Sequence, residues 1–160
     1  MPDRPGLRRL LGAPPTRILL AVEAGFELTL ARLNTLGSAK HFTNMMGELD
    51  GRPIDADAAQ QDRAQLIGHI VEITARVMPF RAVCLQQVMA TRRMMKRRHL
   101  PSTVFLGVLP NENDPATSAT HHMSTQETLI AAHAWVKSGD RIINGKVHDL
   151  DRYVVLGIFS

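Results

Sequence analysis

Apolar positions in the first half of the chain recur at helical spacing. Behind Pro14 and Pro15, Thr16 can cap a helix whose apolar positions Leu19, Leu20, Val22, Phe26, Leu30 and Leu33 share roughly one face, and Gly37 supplies its stop. A shorter helical piece is expected over 39–46, then a loop over 48–56 punctuated by Gly51 and Pro53. Asp57 opens a second long helix. Its Leu66, Ile70, Ile73 and Val77 stand at i, i+4, i+7 and i+11, which reads as a buried stripe, and Pro79 breaks the pattern. A third helix is predicted from Cys84 to about Arg98, with Leu85, Val88, Met89 and Met95 as its apolar contacts.

Past Pro101 the pattern changes. Thr103 to Leu109 is a β-branched and apolar run bounded by turn residues, hence a strand. Residues 110–125, with Asn111, Asn113, Asp114 and Pro115, form a polar loop long enough to border a binding cleft. Leu129 to Lys137 reads as a strand, Ser138 to Asp140 as a tight turn, Arg141 to Asn144 as the returning strand and Tyr153 to Phe159 as the last strand. Helices first and antiparallel strands later define an α+β fold. At 160 residues the chain is read as a single domain, 1–160, with a helical N-terminal part over 1–78 and the remainder over 79–160.

Composition narrows the function classes. Hydrophobic residues at 44% and charged residues at 21% are ordinary globular usage, while aromatics at 4% argue against a base-stacking nucleic-acid module, so no nucleic-acid partner is expected. The net charge of +4 is partly concentrated in Arg92, Arg93, Lys96, Arg97 and Arg98, a solvated helix face or a docking surface for an acidic partner. The apolar stretch from Ile18 to Leu36 superficially resembles a signal peptide behind Arg8 and Arg9. Glu23, Glu27 and Arg32 interrupt it, so it reads as an amphipathic helix, suited also to a partner or to peripheral membrane contact. A single cysteine excludes an intrachain disulfide and fits a reducing, cytoplasmic compartment.

That cysteine, Cys84, is also the first candidate for chemistry. A helix start favours a thiolate through its free N–H groups and dipole, and the same N–H groups can hold the oxyanion of a tetrahedral intermediate. Taken singly, a lone cysteine is more often inert and buried. The segment Ala132-His133-Ala134-Trp135-Val136 changes the balance by placing a histidine near the start of a strand, the rigid second element that Cys/His catalysis needs. The imidazole then needs a group to orient it. Asn144 is the first choice, since its strand pairs with that of His133 across the turn; Asp149 and Asp140 compete for the role. Trp135 reads as packing that shields the base. His121, His122 and Glu127 do not make a metal motif, because adjacent histidines on an extended segment point in opposite directions, and neither metal nor cofactor is expected.

The stretch from Phe80 to Leu109, followed by "AAHAWVKSGDRIING", resembles the leader peptidases of lasso-peptide biosynthesis, which belong to the transglutaminase-like, papain-related cysteine protease superfamily. Cys84-Leu85, the basic helix end before Leu100-Pro101, Leu106-Gly107-Val108 and His133-Ala134-Trp135-Val136 carry it, and it covers roughly residues 76–160. The resemblance implies a transglutaminase-like catalytic core over 79–160, with the nucleophile at a helix N-terminus facing an antiparallel sheet. It implies a Cys-His-Asp triad that cleaves the leader from a ribosomally made precursor peptide. Cys84 and His133 match; where the family often carries an aspartate, this chain reads Ile143-Asn144-Gly145, so Asn144 or Asp149 would serve. The partners implied are the precursor peptide, a separate leader-recognition protein and the lasso cyclase.

Overall fold

The computed structural model describes residues 14–35, 51–109 and 131–160; the helical piece expected over 39–46, the polar loop over 110–125 and His121, His122 and Glu127 lie outside them. Helix α1 spans Pro15–Thr35, α2 Ala58–Val77 and α3 Cys84–Lys96, followed by strands β1 Thr103–Leu109, β2 Ala131–Ser138, β3 Arg141–Asn144 and β4 Val154–Phe159. The α+β architecture expected from the residue pattern is the one observed. Local signals account for the starts: Pro15 takes the first position of α1, where its missing N–H costs nothing. Asp57 caps α2 by accepting from the Gln60 N–H at 2.8 Å, and the Gln60 side chain accepts in return from the Asp57 N–H at 2.9 Å.

The buried faces of α1 and α2 differ from those that apolar periodicity predicts. In α1 the buried residues are Ala24, Glu27, Leu28 and Ala31, whereas Leu19, Val22, Phe26 and Leu33 are each more than half exposed. The reason is electrostatic. Glu27, almost fully buried, bonds Arg93 at 3.1 Å and Arg97 at 2.8 Å, while Glu23 bonds Arg97 at 2.7 Å and also pairs with Arg98. These pairs fix which side of α1 meets α3, and the alanines let the helices approach. In α2 the buried set is Gln61, Ala64, Ile67, Gly68, Ile70, Val71 and Thr74, with Leu66 exposed, so the stripe is rotated from the expected one. Gly68 explains the rotation. A Cβ there would collide with the Ile143 carbonyl, so the Gly68 face is the one pressed onto β3.

The basic run divides: Lys96, Arg97 and Arg98 are exposed as a solvated face requires, whereas its first members turn inward. Arg92 is buried and donates to the Phe159 carbonyl at 3.1 Å, Arg93 and Arg97 hold Glu27, and Arg98 holds Glu23. Hydrogen bonding from Arg98, and then from Arg97, outweighs partial desolvation and holds the Glu23 carboxyl below the usual glutamate range. Burial alone pushes the Arg92 guanidinium below its ordinary value.

The four strands form one antiparallel sheet in the order β3-β2-β1-β4. Val104, Ala134, Val136, Ile143 and Phe159 join one apolar core with Leu28, Ile67, Val71, Val88 and Met94 of the helices. The pleat puts Phe105 and Trp135, directly paired and stacked at 5.5 Å, with Gly107 and His133 on the alternate positions. Strand β3 is short. It pairs only with residues 136–138 of β2, so the edge of β2 beside His133 lies past its end. The chain then bends at Gly145 and returns through a 3₁₀ turn, Leu150–Arg152, to β4 on the far edge, next to β1.

Candidate active site

Helix α3 begins at Cys84 behind Val83, whose extended backbone (φ −75°, ψ 164°) ends the preceding segment. Valine has no side-chain oxygen, so the N–H groups of the first turn receive no cap from it. What fixes the helix start is Gln86, buried, whose side chain accepts from the Val83 N–H at 3.2 Å and donates to Thr35 Oγ1 of α1 at 2.9 Å. The first turn is thereby anchored from the side, with its N–H groups left to whatever sits beside the Cys84 thiol, itself partly exposed.

His133 stands on the uncovered edge of β2. Its Nε2 lies 2.7 Å from the Gly145 carbonyl oxygen. A carbonyl oxygen can only accept, so Nε2 carries the proton and Nδ1 of the neutral ring is left as the acceptor. Gly145 reaches this position because it is glycine: its φ is +83°, and a Cβ would collide with the Ala134 carbonyl and come within 2.8 Å of the Trp135 Cα. Aromatic rings hold the imidazole on its other sides, with Trp135 at 6.2 Å and Tyr153 at 5.5 Å between centroids. The chain has one Trp and one Tyr, and both are spent here.

Two cavities meet at these residues. One, of about 860 Å³, is polar and is lined by Glu72, Arg76, Arg81, Gln87 and Lys146 among others. The second, of about 520 Å³, is walled by apolar residues of the α3 start, β1, β2 and β4. Among the described residues, Cys84 and His133 alone line both.

Of the three candidates for the third position, the structure brings Asn144 to the polar cavity and neither aspartate. Asn144 lies opposite Val136, because the register shifts between Val136 and Lys137 and leaves Ile143 out of the ladder; the unshifted register would put it opposite Trp135, and neither brings it opposite His133. It is 1% exposed, and its Oδ1 and Nδ2 have no hydrogen-bond partner. The imidazole is thus held by the backbone carbonyl of the next residue and not by the Asn144 side chain. Asp140 sits in the β2–β3 turn, accepting from Gln61 Nε2 at 2.8 Å, and Asp149 is exposed ahead of the 3₁₀ turn. Residue patterns did not reveal the Gly145 carbonyl or Tyr153; the scarcity of aromatics was the usable signal for Tyr153, and a glycine following Asn144 that for the bend.

A family model described as transglutaminase-like superfamily matches residues 28–157, most of the chain. The chain belongs to that superfamily. This transglutaminase-like match begins inside α1 and ends inside β4, so it takes in the end of α1, all of α2 and α3, strands β1 to β3 and most of β4. No curated protein and no solved structure matches the chain. Transglutaminase-like proteins are in general cysteine-dependent peptidases or acyl transferases, chemistry that runs through a thiol at a helix start and a histidine on a strand.

Proposed function

We propose that this protein is a cysteine peptidase that removes the leader from a ribosomally made lasso-peptide precursor. The observation that carries the reading is the placement of Cys84, at an uncapped helix start, and His133, with Nδ1 as its free acceptor, in the walls of the same two cavities. His133 Nδ1 takes the thiol proton as Cys84 attacks the scissile carbonyl, and returns it to the leaving amine. Water, deprotonated by the same nitrogen, then releases the acyl group as a carboxylate. The first-turn N–H groups of α3 face the developing oxyanion. Gly145 orients the base through its carbonyl; Asn144, buried in the wall of the polar cavity with its side-chain amide unpartnered, is the side chain we assign to the third position beside it.

The reading brings its partners with it: the precursor, a separate leader-recognition protein and the cyclase that closes the ring. The exposed apolar edge of α1 is the surface we assign to the recognition protein in preference to a membrane. Among the described residues no helix is long and apolar enough to cross a bilayer. The test is cleavage of precursor, followed by mass spectrometry, with and without the recognition protein. Cys84→Ala and His133→Ala are each expected to reduce the rate by at least about 10³-fold with the fold intact by circular dichroism. Full activity of Cys84→Ala sinks the peptidase. An adduct on an acceptor amine in place of a free carboxylate makes the protein an acyl transferase, and precursor binding without turnover makes it a scaffold.

A further inference from the structure

The two cavities differ in chemistry, and Cys84 and His133 form the partition between them. On one side, Val83, Leu85, Leu106, Val108, Ala132 and Leu156 wall a space of about 520 Å³; besides Cys84 and His133, every described residue lining it is apolar or glycine. On the other side, Arg76, Arg81 and Lys146 against Glu72 give the larger cavity a cationic excess. Anything held in the apolar space lies against Cys84, because Cys84 is part of its wall. A space of that size takes more than one aliphatic side chain and strongly disfavours a charged one, which would lose its hydration without gaining a partner.

The geometry points to a substrate segment that straddles the Cys84–His133 partition with aliphatic side chains on one side of the scissile bond, in the apolar cavity, and acidic side chains on the other, among Arg76, Arg81 and Lys146. This rests on the reading of Cys84 as a nucleophile that acts on a peptide, and it names the chemical class of that peptide. Leu156 is the residue through which the selection can be altered without disturbing the core: it lines the apolar cavity and is 67% exposed.

The test uses the full-length protein and chloroacetamides that differ only in their tails: octyl, a carboxylate-bearing chain, and a neutral glycol chain. Each alkylates a thiol by forming an S–C bond with loss of chloride and of the thiol proton, so the readout does not depend on turnover. The octyl probe is expected to label Cys84 at least about tenfold faster than the glycol probe, the equivalent of burying two methylene groups. Leu156→Asp is expected to reduce that advantage below about threefold. The carboxylate probe is expected to exceed the glycol probe in low salt, and to lose its lead in Arg81→Glu. Equal rates for all three tails overturn the inference, as does an octyl advantage that survives Leu156→Asp, a carboxylate lead that survives Arg81→Glu, or a Cys84 that none of the probes labels. Tail selectivity without precursor cleavage overturns the peptidase reading and leaves the two-sided cleft standing; cleavage without tail selectivity does the reverse.

Discussion

At the scale of single residues, the chemistry proposed for this protein depends on a backbone atom. His133 is oriented by the Gly145 carbonyl at 2.7 Å, which fixes the proton on Nε2. Gly145→Ala places a Cβ against the Ala134 carbonyl at a backbone angle that only glycine adopts freely, so the carbonyl must move away from the ring. The expected cost is about 1–3 kcal/mol of stability, together with a loss of about 10–100-fold in the rate of precursor cleavage. Nitrogen NMR of the imidazole separates orientation from stability: the parent shows one tautomer with the proton on Nε2, the variant a mixture. An unchanged tautomer in an impaired variant would remove Gly145 from the mechanism. Cys84 and His133 stood out as candidates in the chain because Cys84 is its one cysteine, at the start of a helix, and His133 is the one of its seven histidines near the start of β2. The Gly145 carbonyl was not, since every residue has a carbonyl and only the three-dimensional bend selects this one.

At the scale of elements, α1 and α3 are joined as much by charge as by apolar contact. Glu27 is nearly buried between Arg93 and Arg97, and truncating it leaves those guanidinium groups facing a low-dielectric gap. Glu27→Ala is expected to lower stability by about 2–3 kcal/mol, measured by urea unfolding, since partial exposure of both arginines moderates the penalty of a fully buried pair. Glu23 is more exposed, and its contribution follows pH. Because its folded-state carboxyl is held below the ordinary 4.5, its stabilisation is present above that value and fades as pH falls below it. Melting temperatures of the parent and Glu23→Gln should therefore differ by a few degrees at pH 7 and converge in acid; a gap that persists at pH 3 would exclude this origin. These pairs also explain the limits of the sequence reading. Strand β1, the Asp57 cap and the β2–β3 hairpin were legible because propensity and turn chemistry act over a few residues. The buried face of α1 was not, because Glu27 meets Arg93 66 residues later in the chain.

At the scale of the whole molecule, the helices and the sheet share one apolar core. Leu28 of α1 and Ile67 and Val71 of α2 belong to the same core as Val88, Met94 and Val136, across the change of character that the sequence shows near residue 78. A fragment of residues 79–160 retains Cys84 and His133 yet loses the helices that cover its sheet, so it should show no cooperative thermal transition; a folded, alkylation-competent fragment would contradict the shared core. Val83 has a consequence at this scale as well. A serine there would satisfy an idle N–H of α3 and add about 1 kcal/mol, visible as a higher melting temperature, while occupying a donor that the reaction needs. Val83→Ser should therefore be more heat-resistant and slower on precursor, and a variant that gains in both would show that the donors are not shared. Laboratory selection of this protein for thermal resistance alone would then enrich substitutions at the start of α3, and would drift toward well-folded molecules that no longer turn over.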